Sequence, residues 1–149
     1  MEEGIKACRS FTDCCRERLN LRDMNPAMYS PLALAYLGDA VYEVIVRSIV
    51  MNRGNMPVNK MHKKSTELVK AGTQARMIRL LEPELTGEEE AVFRRGRNAK
   101  SVTVAKHASV ADYRMATGLE ALTGYLYLSE QFDRLLELIS RGLEKIEES

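Results

Sequence analysis

The run Leu34-Ala35-Tyr36-Leu37-Gly38-Asp39-Ala40-Val41-Tyr42-Glu43 constrains this chain more than any other stretch. It sets a Gly-Asp pair among Leu32, Leu34, Leu37, Val41, Val44, Ile45, Ile49 and Val50. Apolar residues at that density predict a buried helix. Glycine inside a helix costs about 1 kcal/mol against alanine. Carboxylates are rarely buried unless paired or bound to metal. An acid directly after such a glycine needs a physical reason, and a close helix neighbour is the first one to test.

The rest of the chain also reads as helix. Residues 1–25 form a weak helical pattern (Ile5, Cys8, Phe11, Cys15, Leu19) that breaks at Asn25-Pro26. Ser30-Pro31 is a strong start, with serine as N-cap and proline at the first helical position. That helix is expected to run to about Asn52 and stop at Gly54. Pro57 opens the next segment, where Val58, Met61, Leu68, Val69, Ala75, Ile78 and Leu81 fit two helices ending at Pro83. Thr86-Gly87-Glu88-Glu89 has the form of a capping box and opens a helix into Arg94-Arg95-Gly96-Arg97. Residues 98–110 are small and polar and read as a long loop. A helix follows from Val110, and Ser129 restarts a final amphipathic one. No segment alternates as a strand would, so the expectation is a single all-α domain of six or more helices.

Bulk composition narrows the function classes. A net charge of +1 argues against a chain held on polyanions by overall charge, while leaving local patches open. Cys8, Cys14 and Cys15 make a poor disulfide framework and have no zinc-finger spacing, so free thiols are expected. Met1-Glu2-Glu3 is acidic with no apolar run behind it, and Asp39, Glu43 and Arg47 interrupt the longest apolar stretches. Neither a secretory leader nor a membrane span is expected, and a soluble cytoplasmic protein is.

A second acid, Glu120, lies in Thr117-Gly118-Leu119-Glu120-Ala121-Leu122-Thr123-Gly124-Tyr125. Small residues surround both acids and permit close helix approach. Two such carboxylates, converging from different helices, make a hard oxygen site suited to Mg²⁺ or Mn²⁺ and to phosphodiester hydrolysis. The same acids also suit caps, or pairs with Arg47, Arg114 or a lysine, and the residues alone leave both readings open. Glu43, one turn after Asp39, fits either the site's periphery or a pair with Arg47. Tyr36, Tyr42, Tyr113, Tyr125 and Tyr127 read as core aromatics.

Two basic clusters stand out. Lys60-Met61-His62-Lys63-Lys64-Ser65 begins a helix; Arg94-Arg95-Gly96-Arg97-Asn98-Ala99-Lys100-Ser101 ends one, with Lys106-His107 beyond. The helix dipole favours some of this charge at a C-terminus. The mixture of charge with Gly, Asn and Ser also suits phosphates and 2′-hydroxyls of double-stranded RNA. A solvated charged face is the competing reading. His62 and His107 lack ligand spacing and read as substrate-side or surface residues.

Residues 34–43 resemble the signature helix of the ribonuclease III catalytic domain, and residues 119–128 resemble that family's second acidic motif. The likeness is stronger to Mini-ribonuclease III, the short bacterial branch without a double-stranded-RNA-binding domain. His62-Lys63-Lys64-Ser65, the run 94–101, Tyr113-Arg114 and the order of the acidic motifs carry it, over roughly residues 30–145. Several ordered motifs make a specific signal.

The resemblance implies a ribonuclease III catalytic-domain fold over residues 26–149, after an N-terminal extension at 1–25, working as a homodimer on double-stranded RNA. It implies Mg²⁺, with Mn²⁺ as a substitute, held by Asp39 and Glu120 as the catalytic pair, with Glu43 and Thr117 at its periphery. RNA contacts fall to His62, Lys63, Lys64, Arg94, Arg95, Arg97, Asn98 and Lys100. Products carry 5′-phosphates, and the implied substrate is the paired end of the 23S ribosomal RNA precursor, with a ribosomal protein as a candidate helper. Two family carboxylates are missing: Ala35 and Thr117 stand in their places, as in the Mini branch. Each site is therefore expected to leave more of the metal's coordination to water and phosphate. A catalytically silent RNA-binding or ribosome-associated protein and a helical scaffold with structural acids are the alternatives.

Overall fold

The structure, a computed structural model, describes residues 10–100 and 109–149. Seven α-helices lie within them: α1 (Phe11–Arg18), α2 (Pro31–Asn52), α3 (Val58–Val69), α4 (Ala71–Leu81), α5 (Gly87–Asn98), α6 (Val110–Leu128) and α7 (Phe132–Glu148). Short 3₁₀ turns occupy Pro26–Met28 and Glu82–Glu84. The described residues contain no strand.

The starts follow local chemistry. Ser30 Oγ accepts from the Ala33 amide at 3.1 Å, and Pro31 supplies the first helical residue of α2. At α5, Thr86 Oγ1 accepts from the Glu89 amide at 3.2 Å while Glu89 Oε1 accepts from the Thr86 amide at 2.9 Å, completing the capping box. Ser109 Oγ caps α6 through the Asp112 amide at 3.0 Å. The final helix begins at Phe132, later than Ser129 suggests. Ser129 instead closes α6 by donating to the Tyr125 carbonyl at 2.6 Å, and Glu130 turns the chain at φ 56°.

The domain is built around α6. Residues Ala116–Leu126 are buried with one interruption, Glu120. A helix apolar on every side belongs at the centre of a bundle. α2, α5 and α4 pack against it, α2 most extensively. The α2–α6 crossing is made by glycine. A Cβ on Gly38 would stand 1.7 Å from the Glu120 carbonyl oxygen, and one on Gly124 would stand 2.1 Å from the Leu34 carbonyl oxygen. Backbone touches backbone here, which explains why Gly38 is tolerated inside a helix.

α7 is fastened to the α5 start by an arginine fork. Arg134 Nε and Nη2 donate to the two Glu89 carboxylate oxygens, each at 2.8 Å, and Nη2 also reaches the Glu84 carbonyl at 3.0 Å. Glu89 is 4% exposed, so its charge is buried but fully answered. Just past the C-terminus of α6, Ser10 and Thr12 hydroxyls and Arg16 Nη2 converge on the Glu130 carboxylate at 2.7, 2.9 and 2.9 Å, which docks α1 on the α6–α7 turn.

The apolar reading of α2 needs one correction. Leu34, Tyr42, Val46 and Val50 are core, but Val44 is 65% exposed and Tyr36, expected inside, is 85% exposed. These residues lie on the side of α2 turned away from α6. With Phe11, Leu37, Val41, Ile45, Phe132 and Leu136, Val44 forms an open apolar groove. Cys14 and Cys15 are free and half-buried, as expected; Cys8 lies outside the described residues.

Candidate active site

Asp39 and Glu120 come together where α2 crosses α6. Because Gly38 lies against the main chain of Glu120, the next residue of α2 is carried to the Glu120 side chain. The Asp39 carboxyl lies near enough to act on that of Glu120. Burial is the larger cause that raises the Glu120 carboxyl, to about 8, and its Asp39 neighbour adds to it; a hydrogen bond from Gln74 opposes the rise. Asp39 itself is exposed, on the rim of the crossing, which corrects the expectation of an acid inside the apolar face. The buried member of the sequence pair is the glycine.

Among the described residues no group of three or more His, Cys, Asp and Glu gathers. The pair nevertheless fits a small hard cation. Mg²⁺ is commonly held by one or two carboxylates with waters and substrate phosphates completing an octahedron. Like charges held side by side, one of them driven to keep its proton, are also what a divalent cation relieves.

Glu43 is half-buried and accepts from Arg47 Nε at 3.1 Å along its own helix, so the structure gives it the pairing role. Thr117 is buried and donates its hydroxyl proton to the Tyr113 carbonyl at 2.9 Å, which spends that proton inside α6. Tyr42 and Gln74 adjoin the pair and were not marked by the sequence pattern. Burial, then the Glu120 and Glu43 charges, pushes the Tyr42 phenol well up, so it stays protonated and donates to the Leu68 carbonyl at 2.8 Å. Gln74 Nε2 donates to the Val69 carbonyl at 2.8 Å and points its second proton at Glu120 Oε2 at 3.4 Å.

The basic residues sit on two helices. His62 and Lys63 are exposed on α3, with Lys64 half-buried beside them. Arg94, Arg95 and Asn98 are exposed on α5, and Lys100 is exposed just past its end. Arg94 pairs with Glu90 at 2.7 Å. Arg97 stacks over the Phe93 ring at 5.6 Å and donates to Asn98 Oδ1 at 3.2 Å. Lys106 and His107 lie outside the described residues, as does most of the 98–110 loop.

Paired acids at a helix crossing, in an all-α domain that carries exposed basic residues on two helices, agree with the comparisons to known proteins. The Ribonuclease III domain matches residues 32–131, and the chain belongs to the ribonuclease III family. Within it, the chain falls in the Mini-ribonuclease 3 branch. It is 47% identical to Mini-ribonuclease 3 of Clostridium tetani over 131 residues, covering 87% of this chain and 83% of that one. Against the Symbiobacterium thermophilum protein of the same name it is 46% identical, covering 85% and 98%. A crystal structure of a Fusobacterium nucleatum protein superposes with a TM-score of 0.73 at 28% identity, covering 79% of this chain and 94% of that one. The family is one of endoribonucleases that act on double-stranded RNA. No described helix is long and apolar enough to cross a membrane.

Proposed function

We propose that this protein cuts double-stranded RNA by Mg²⁺-dependent hydrolysis, with Asp39 and Glu120 as the metal-holding carboxylates. The observation that carries the reading is their convergence at the Gly38–Gly124 crossing, where backbone contact fixes their spacing. Asp39 and Glu120 would hold a divalent cation there, which would supply positive charge at the phosphoryl oxygens and make a water easier to deprotonate. The chain's own contribution is position. Asp39 faces solvent and the incoming strand, while Glu120 anchors the site from within. Lys63 and Lys64 on α3, and Arg94, Arg95, Arg97, Asn98 and Lys100 along and after α5, supply the phosphate contacts that orient the duplex; His62 joins them from α3.

The Mini-branch resemblance extends the proposal to products with 5′-phosphates, to the paired ends of the 23S ribosomal RNA precursor as substrate, and to a cytoplasmic setting. It also supports a homodimer, for which the open groove around Val44 and Leu136 is apolar enough to be a buried face. A ribosomal protein that shapes the RNA completes the proposed partners. The test is cleavage of duplex RNA bearing the paired 23S-precursor ends, with and without Mg²⁺ and with product ends mapped. Asp39→Asn and Glu120→Gln are expected to abolish cutting while folding and RNA binding persist. Cutting by both variants at the wild-type rate removes the reading.

A further inference from the structure

The last turn of α3 ends in carbonyls that lack helical partners. Three are taken up by side chains from other helices. Thr73 Oγ1 donates to Glu67 O at 2.6 Å, Tyr42 Oη to Leu68 O at 2.8 Å, and Gln74 Nε2 to Val69 O at 2.8 Å. Gln74 differs from the other two because its amide has a second proton, and that proton faces Glu120. The side chain is 2% exposed, and its Oε1 has no hydrogen-bond partner. The Val69 carbonyl facing Nε2 can only accept, so a flipped amide would set oxygen against oxygen there. A buried amide with an unanswered oxygen is a poor choice for packing alone, since an apolar side chain of the same size avoids that penalty.

We propose that Gln74 is a positioning residue for Glu120. Its amide ties the Glu120 carboxylate to the C-terminal end of α3, the helix that carries Lys63 and Lys64, so that the RNA-gripping helix and the half-buried acid hold one geometry. The proposal rests on the reading of Asp39 and Glu120 as the cleavage centre. It also accounts for how a site with Ala35 and Thr117 in place of carboxylates keeps its remaining acid aligned: a neutral donor does the fixing without adding charge.

The test compares Gln74→Met, which keeps volume and removes the amide, with Thr73→Val, which loosens the same α3–α4 junction without touching Glu120. Gln74→Met is expected to lower kcat on duplex RNA by about tenfold to hundredfold with KM little changed, and to weaken Mn²⁺ binding to the RNA-free protein, measured by calorimetry, by about tenfold. Thr73→Val is expected to leave both near wild type once folded fractions are matched. Wild-type kcat and Mn²⁺ affinity in Gln74→Met overturn the proposal, and so do equal losses in Thr73→Val. Should Gln74→Met fail to fold, Gln74→Asn, which draws the amide back by one methylene, carries the same expectation and the same refutation. Wild type and Asp39→Asn are measured alongside. A wild type that neither cuts RNA nor binds Mn²⁺ removes the underlying reading; an active wild type with an indifferent Gln74 variant removes only this one.

Discussion

Replacing Gly38 by alanine tests the link between helix packing and the paired acids. The added Cβ would stand 1.7 Å from the Glu120 carbonyl oxygen, 2.7 Å from its carbon and 2.8 Å from the Gly124 nitrogen, where about 3.0 Å is the least that real contacts allow. The two helices must part by roughly 1.3 Å, the difference between 3.0 and 1.7. Overpacking costs about 1–3 kcal/mol where side chains yield. Here the obstacle is main chain, so about 4 kcal/mol is a fair figure. Alanine's better helix propensity returns about 1 kcal/mol, leaving a net loss of about 3. For a chain of this size that lowers Tm by about 9 °C, within what a typical domain survives.

The same displacement separates Asp39 from Glu120. A misplacement of about 1 Å can cost a hundredfold in rate. Gly38→Ala is therefore expected to be folded at 25 °C yet cut duplex RNA about a hundredfold more slowly in single-turnover assays, with urea unfolding reporting the stability loss. Gly87→Ala is the control, since its Cβ meets nothing within 4 Å and its backbone is ordinary helix. It is expected to match or exceed wild-type stability. A Gly38→Ala protein within about 1 kcal/mol of wild type and equally active would refute the claim that this crossing sets the site.

Arg134→Ala leaves the Glu89 charge buried without its fork, and is expected to cost about 3 kcal/mol in urea unfolding. Arg134 holds the Glu89 carboxyl below its ordinary range against the opposing effect of burial. That stability is present above the ordinary carboxylate pKa and is lost as pH falls through the lowered one, so the variant is expected to show a weaker acid-side decline. Glu120 has the opposite sign. Raised to about 8, its contribution to the metal-free fold is fully present below the ordinary carboxylate pKa and is lost as pH rises from there through about 8. Thermal scans in chelator are expected to show Tm falling over this range in wild type and a flatter profile in Glu120→Gln; parallel profiles would contradict the assignment. Single alanine replacements of Lys63 and Arg95 are each expected to reduce the salt slope of duplex binding by about one unit, measured by titration at several salt concentrations.

Much of the fold was legible because its boundaries are written in local chemistry. Ser30-Pro31 and Thr86 through Glu89 fix helix starts through bonds made within a few residues, and the structure reproduces both. The unbroken small and apolar residues from Ala116 to Leu126 announce a central helix, and Glu120 is conspicuous as the charge within it. What could not be read is whatever depends on distant partners. Glu89 looks like a capping acid alone, because Arg134 lies on another helix. Tyr36 and Val44 look like core residues because periodicity tells which residues share a face, but not whether another helix covers it. Gln74 left no signal at all: a glutamine in Ala71-Gly72-Thr73-Gln74-Ala75 has no spacing that distinguishes a buried tether from a surface polar residue.

The sequence presents Gly38-Asp39 as an acid within an apolar helix, beside a glycine that permits close helix approach. Geometry shows which helix approaches and where. The atoms of the facing helix that a Gly38 side chain would strike belong to the main chain of Glu120 and to Gly124. The glycine brings in the second acid, and Asp39 stands at the rim because α2 has been pressed down on α6 beside it. This matters more here than in a site with four carboxylates. In the proposed site Ala35 and Thr117 hold the two other positions, so fewer ligands would be left to correct one another's placement. The spacing of Asp39 and Glu120 must then come from backbone contact, which is stiff, rather than from a crowd of side chains. The same logic explains why both Gly38 and Gly124 are needed. Each removes the Cβ that would strike the other helix's carbonyl, so restoring either one alone reopens the crossing.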